Sequence, residues 1–348
     1  MFSHISISNF RGIKEGEINL GQLNILLGPN NSGKTTILEA LFLVPNPLRY
    51  SSYIPLSARH SPSPTLEVFY LLHQALGGDF IFLFYNYTSD ESKIKFKKDE
   101  REFTLLFTKR DLYFIDIVIR GPIDIPNSVN IPRKDDGYFI GTLRRDIFEF
   151  SSNYVKPVVD NTFLITPSLI RQTYSTLRNN WIKITNEGIS GKVAEEASRF
   201  SDEDYIDLTI EPFIGAEEIL AYLKDKRRIR IRDLGEGIHN YIISRILYEL
   251  EKPAVLLWDD IEAHFNPRIL SALAEWFSDI LKDGKQIVLS THSLEAAKII
   301  AGFNEDKANI FLTSLKDNIL KTKKLKLSEV EELLKAGVDI RLAEPFLL

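Results

Sequence analysis

The chain has 348 residues, 44% of them hydrophobic and 26% charged, with a net charge of −5. That length suits one large domain or two modest ones, and the charge excludes a global basic field drawing the whole molecule onto nucleic acid or anionic lipid. The absence of cysteine excludes disulfides, zinc–thiolate centres and thiol nucleophiles. The opening stretch MFSHISISNFRGIKEG has no basic-then-apolar leader pattern. The longest apolar region, VFYLLHQALGGDFIFLFY, is broken by His73, two glycines and Asp79, so core elements are expected there, not a membrane span. A cytoplasmic protein without membrane contact is the expectation.

In chain order, SHISISNF alternates and reads as a strand. LNILLG is an apolar run ending in glycine, a buried strand; KTTILEALFLV follows with helical spacing and stops before PNP. Between 92 and 121, KIKFKK, FTLLFTK and LYFIDIVIR read as an antiparallel meander. Residues 122–160, rich in Pro, Asn, Asp and Ser, read mostly as loop, and NTFLIT as a short strand. SLIRQTYSTLRNNWIKI, KVAEEASRF and AEEILAYLKDK read as helices, which makes 122–232 an inserted, mainly helical lobe. Beyond it, GIHNYIISRILYELEK is a helix, AVLLW a strand and RILSALAEWFSDILKDG an amphipathic helix. QIVLST is a strand, SLEAAKIIAGF a helix, and NIFLTS and NILKTKKLKL are strands. SEVEELLKAG opens with a capping box, Ser328 and Glu331. Strands alternating with helices predict an α/β fold with a mostly parallel sheet covered on both faces. That lobe is discontinuous, 1–121 and 233–348, and carries the meander as an antiparallel subdomain.

GPNNSGKTT matches the phosphate-binding pattern G-x-x-x-x-G-K-[ST] at every position. The candidate nucleotide-binding residues are Gly28, Pro29, Asn30, Asn31, Ser32, Gly33, Lys34, Thr35 and Thr36. The glycines let backbone N–H groups face phosphate oxygens, and the following helix adds its positive N-terminal end. Lys34 can reach the β- and γ-phosphates, and the Thr35 hydroxyl can ligate magnesium. The bland reading is a glycine turn with an exposed lysine. The strand before the pattern and the helix after it favour the phosphate loop, with ATP and Mg²⁺ as the implied cofactors.

VLLWDDIEAH is an apolar strand ending in acid. Asp259, at the strand end, is placed to hold magnesium, and Asp260 or Glu262 to position the attacking water. Alone, the stretch reads equally well as a solvated acidic loop; the upstream phosphate loop tips the balance. In IVLSTHS a second buried strand ends at Thr291 and His292 lies beyond it, at the edge where open α/β sheets bind ligands. His292 is therefore a candidate γ-phosphate contact, although lone histidines are usually structural. In RDLGEGIHN two glycines open a helix; an anion site and a plain helix-entry turn both fit.

These four pieces, in this order, resemble the ABC-type ATPase heads of the SMC, RecF and OLD-like group, and most of all compact AAA-type ATP-binding proteins related to the OLD ATPase domain. The matching motifs cover about half the chain, the first 40 residues and 232–315. The resemblance implies a P-loop NTPase fold of ABC-ATPase type. It also implies an ATP-dependent homodimer in which Gly235, Glu236 and Gly237 act as a signature across the interface. The chain departs from that pattern where Asp233 stands near the usual signature serine and where Asp260 takes the place of a catalytic glutamate. Gln74 is the candidate for the Q-loop glutamine.

Asp260 is shorter than glutamate by one methylene, roughly 1.5 Å of reach. A misplacement near 1 Å costs on the order of a hundredfold in rate, so slow turnover is expected. The implied role is an ATP-driven dimerisation switch in DNA repair, recombination, chromosome maintenance or defence. The alternatives are a regulatory protein acting through a nuclease or effector partner without DNA binding, and a transporter-associated ATPase subunit. The run KDKRRIRIR makes Lys226, Arg227, Arg228, Arg230 and Arg232 candidate DNA contacts. Basic strand faces also serve as solvated edges that discourage aggregation.

Overall fold

The structure is a computed structural model that describes residues 1–44, 47–51, 63–64, 80–123, 131–134, 136–144, 149–152, 162–341 and 348. Gln74 lies outside them. In chain order the strands are β1 Phe2–Phe10, β2 Ile13–Asn19, β3 Leu23–Leu27, β4 Tyr50–Ser51, β5 Ser63–Pro64, β6 Glu91–Lys98, β7 Arg101–Lys109, β8 Phe114–Arg120, β9 Arg133–Lys134, β10 Gly137–Arg144, β11 Glu149–Ser152, β12 Thr162–Ile165, β13 Tyr205–Phe213, β14 Ala216–Leu223, β15 Arg228–Arg230, β16 Val255–Trp258, β17 Gln286–Thr291, β18 Ala308–Lys316 and β19 Ile319–Leu325.

β3, β16 and β17 are buried at every position. Strands of that kind need cover on both faces, and parallel packing supplies it. β17 lies between β3 and β16, parallel to both. β18 continues the parallel set beyond β3, and β12 beyond β16. The helices Lys34–Leu43, Pro267–Lys282 and Leu294–Gly302 pack on these strands. Two of them are fixed by side-chain caps. Asn266 accepts from the Ile269 N–H ahead of Pro267, and Ser293 accepts from the Ala296 N–H.

The sheet is larger and more mixed than the sequence suggests. Its order is β11-β10-β8-β7-β6-β1-β2-β19-β18-β3-β17-β16-β12. The meander β6–β8 forms as expected, but it joins the same sheet through β1, with every pairing from β11 to β2 antiparallel. The run β18-β3-β17-β16-β12 is parallel; β19 pairs antiparallel with β18 and parallel with β2. Buried Gln286 ties the halves together: its amide donates to Phe2 O and Gly21 O at 2.7 Å each and accepts from Phe2 N at 2.9 Å.

Among the described residues of 122–232, strand residues outnumber helical ones, so these residues do not form the mainly helical lobe expected. β10 and β11 extend the meander, and β12 lengthens the parallel half. The expected helix over AEEILAYLKDK is β14, the centre of a small sheet β13-β14-β15. Its Ile219, Leu220, Ala221 and Leu223 are buried as the strand pairs with β13, which packs against the helix Ile189–Ser198, and tertiary burial overrides a helix-forming composition. SLIRQTYSTLRNNWIKI is broken into three short helices, Pro167–Gln172, Tyr174–Asn179 and Trp181–Asn186. The last helix, Leu327–Lys335, starts two residues early with half a capping box: Glu329, not Glu331, accepts from the Lys326 N–H at 2.6 Å, and the lysine side chain has no acceptor to complete the pair.

Asp116 on β8 is buried and accepts from Arg110, Lys134 and Thr142. Burial pushes its carboxyl up, but those hydrogen bonds outweigh it and hold the group below the usual aspartate range. A depressed carboxylate contributes stability that is complete above its unfolded value, about pH 4, and is lost as pH falls through the folded value. Asp116→Asn should therefore flatten the acid limb of stability below about pH 4, read by urea midpoints across that limb. An unchanged limb would show that the network does not contribute.

Candidate functional site

β3 ends at Leu27 and delivers the phosphate loop. Gly33 closes it at φ +87°, a left-handed angle that glycine adopts without a Cβ clash. Asn31 also takes a positive φ, +60°, as its residue type allows. Lys34 then starts the helix. It is 5% exposed, and its Nζ donates to Gly28 O at 2.9 Å and Pro29 O at 2.8 Å. Burial pushes the Lys34 ammonium down, against the opposing pull of Asp260, Asp259 and Glu262. A cation held this way is ready for an anion.

The acidic strand end comes to the same point. The Thr35 hydroxyl lies 3.1 and 3.0 Å from the two Asp259 carboxylate oxygens. Ser290, wholly buried on β17, donates to Asp259 Oδ1 at 2.5 Å. Burial pushes Asp259 up; hydrogen bonds from Ser290 and Thr35 oppose this, and Asp260 adds repulsion. A buried carboxylate beside an alcohol and a phosphate loop is a hard-oxygen donor set that suits magnesium. Among the described residues no cluster of three or more histidine, aspartate or glutamate side chains could cage a metal alone.

Asp260 takes φ +51°. Its N–H donates to Ser290 Oγ at 2.9 Å, and its Oδ1 lies 3.2 Å from His292 Nε2. The other ring nitrogen of His292 lies 2.9 Å from Gly28 O. Glu262 turns elsewhere: its Oε1 accepts from the N–H groups of His292 at 2.5 Å and Ser293 at 3.1 Å. Of the two candidate water-positioning acids, Asp260 faces the cavity and Glu262 holds the backbone that carries His292. The cavity measures about 890 Å³ and is lined by residues 30–36 with Arg11, Gly12, Asp260, His292, Leu315 and Asn318.

A family model described as an AAA ATPase domain matches residues 1–120. Endonuclease GajA of Bacillus cereus is 22% identical over 349 residues, covering 84% of this chain and 56% of GajA. An ATP/GTP phosphatase of Helicobacter pylori is 23% identical over 336 residues, covering 86% of this chain and 87% of that one. A crystal structure of the SmcHead bound to the C-winged helix domain of ScpA matches with a TM-score of 0.54 at 16% identity, covering 95% of this chain and 99% of that one. Residues 1–120 thus match an AAA ATPase domain, and the fold is similar to that of an SMC head. It spans little more than half the length of GajA. No helix among the described residues is long and apolar enough to cross a membrane.

Two residues that shape the site escaped the sequence reading. Arg11, in the β1–β2 turn at φ +53°, pairs with buried Glu39 of the phosphate-loop helix. Burial pushes it down to about 10, against the pull of Tyr87 and Asp259. Its only signal was an arginine beside Gly12. Ser290 gave none, since a serine in a buried strand reads as filler.

The signature segment is held within its own chain. Gly235 caps the helix Glu236–Glu251. Glu236 Oε2 lies 2.9 Å from His264 Nδ1. Asp233 is turned to Arg230, with contacts of 2.6 and 2.8 Å. The arginines expected on one open face are paired: Arg227 with Glu203 and Asp225, Arg228 with Glu211, Arg230 with Asp233, and Arg232 with Glu218 at 3.5 Å. With their charges met locally, they form no unbalanced basic stripe, and Lys226 sits in the turn before them at φ +74°.

At Gly237 a Cβ would lie 2.7 Å from His264 O and 2.8 Å from Ile269 Cδ1. Gly237→Ala must push away the turn at His264 and the first turn of the helix Pro267–Lys282, at a cost of about 1–3 kcal/mol typical of overpacking. A lowered urea midpoint with unchanged slope should report it; a midpoint equal to the parent's would mean these turns yield freely.

Proposed function

We propose that the chain is a magnesium- and ATP-dependent dimerisation switch with slow hydrolysis. The observation that carries this reading is the Thr35 hydroxyl within 3.1 Å of both Asp259 oxygens, which joins phosphate loop and acidic strand at one point. The loop N–H groups and Lys34 bind the β- and γ-phosphates. Magnesium, when bound, neutralises charge on those phosphates. Asp260 orients the attacking water and accepts its proton. His292 steadies Asp260 through Nε2 and reaches the γ-phosphate side of the cavity. Glu262 holds His292 by its backbone and acts at one remove. The reach lost by an aspartate, roughly 1.5 Å, keeps the step slow.

The dimer rests on the ordered motifs, with Gly235, Glu236 and Gly237 meeting the nucleotide of a second copy. For the cellular setting there are two readings. The likeness to a protein named as an endonuclease favours DNA maintenance or defence. The ion-paired arginines favour the second, a switch that acts through a nuclease or effector partner without binding DNA itself. Duplex binding at low and moderate salt separates them, because phosphate contacts give affinity that falls steeply with salt.

Lys34→Ala should abolish ATP binding in an equilibrium assay. Asp260→Asn should keep binding, lose about a hundred- to ten-thousandfold in kcat, and run as a dimer by light scattering with Mg-ATP. A monomer under saturating Mg-ATP would refute the switch. Hydrolysis at the parental rate would move the base role to Glu262.

A further inference from the structure

The buried Ser290 hydroxyl of β17 touches both acids of the site. The pairing Trp258↔Leu289 brings Ser290 level with Asp259. One oxygen serves both neighbours: it donates to Asp259 Oδ1 at 2.5 Å and accepts from the Asp260 N–H at 2.9 Å. The Ser290 carbonyl accepts from the Ile261 N–H at 3.0 Å. A hydroxyl has one proton and two lone pairs, so giving the proton to Asp259 leaves the oxygen to hold Asp260. Both hydrogen bonds therefore fix one rotor.

We propose that Ser290 is a positioning residue that sets Asp259 and Asp260 for Mg-ATP hydrolysis. This rests on the ATPase reading above. Asp260 stands at φ +51°, a backbone region that residues with a Cβ seldom occupy. The anchor on its N–H holds that turn, and the turn brings Oδ1 to 3.2 Å from His292 Nε2. Without the anchor the strand end can relax toward extended backbone and carry the carboxylate away. The same hydroxyl fixes one Asp259 oxygen and leaves the carboxylate facing Thr35. The shortened acid thus gains from backbone placement some of the reach its side chain lacks.

The test uses the whole chain as parent, Ser290→Ala, Ser290→Thr, and Lys34→Ala as the binding-null control. Fluorescent ATP-analogue binding is measured with and without Mg²⁺, alongside steady-state hydrolysis and melting. Ser290→Ala should bind the analogue without Mg²⁺ within about twofold of the parent, because the phosphate loop is built of backbone N–H groups. Its kcat should fall by tenfold or more, on the order of a hundredfold for a shift near 1 Å, with KM for ATP little changed. The Mg²⁺ concentration needed to tighten binding should rise. Ser290→Thr restores the hydroxyl and should return kcat to within about threefold of the parent.

Parental kcat and Mg²⁺ dependence in Ser290→Ala would overturn the proposal. So would Ser290→Thr as slow as the alanine variant, or an alanine variant that loses Mg²⁺-free binding as well, which marks a merely structural role. If the parent binds no better than Lys34→Ala, the ATPase reading itself fails, and that result is distinct from the others.

Discussion

The register of three parallel strands sets everything else in the site. Leu27 is level with Thr291, and Trp258 with Leu289. The residues just beyond those levels are Gly28, Asp259 and the end of β17, so phosphate loop, acid and histidine emerge side by side. A strand slip of one residue would turn each side chain to the opposite face. Such a slip is resisted because these strands are buried on both faces and gripped by Gln286 from the far end. The core that fixes the register lies beneath the site, so its packing free energy underwrites the geometry of the chemistry above it.

At that edge the least comfortable group is Asp259, at 8% exposure. Ionised carboxylates resist desolvation unless compensated. Ser290, Thr35 and the nearby Lys34 supply partial compensation, and a cation would complete it. Asp260 carries a different cost. A residue with a Cβ in the left-handed region loses roughly 1–2 kcal/mol, less for aspartate, whose short side chain bonds locally. Strain of this kind persists only where its surroundings hold it, and here Ser290 holds one side and His292 the other. The site thus keeps two unfavourable acids close together through a frame of hydroxyls and backbone donors.

Much of this was legible in the sequence because buried parallel strands leave short, fully apolar runs, as LNILL and VLLW do, and because the phosphate loop demands its residues in fixed order. Asp259, Asp260 and His292 were readable as strand-end residues. The other parts act through distant pairing. Ser290 matters only because β16 lies beside it, and Arg11 only because Glu39 faces it. Glu262 looked like a second base by its spacing, yet its Oε1 is committed to two N–H groups that sequence cannot place. In 122–232, β14 was read as a helix because Glu, Leu and Ala favour helices. Its pairing with β13 and β15 and the burial of Ile219, Leu220, Ala221 and Leu223 decide otherwise.

The arginine strand shows the same limit in electrostatic terms. In sequence, Arg227, Arg228, Arg230 and Arg232 form a dense positive run. In the fold, Glu203, Glu211, Glu218, Asp225 and Asp233 reach them from the surrounding chain. Exposed pairs of this kind stabilise by only about 0–1 kcal/mol each, so they are not there chiefly for stability. Their larger effect is on the field, because opposite charges a few ångströms apart cancel beyond a Debye length, about 8 Å at physiological salt. A polyanion approaching β15 meets little net attraction. A nucleic acid approaching this strand would have to compete with those carboxylates for the arginines.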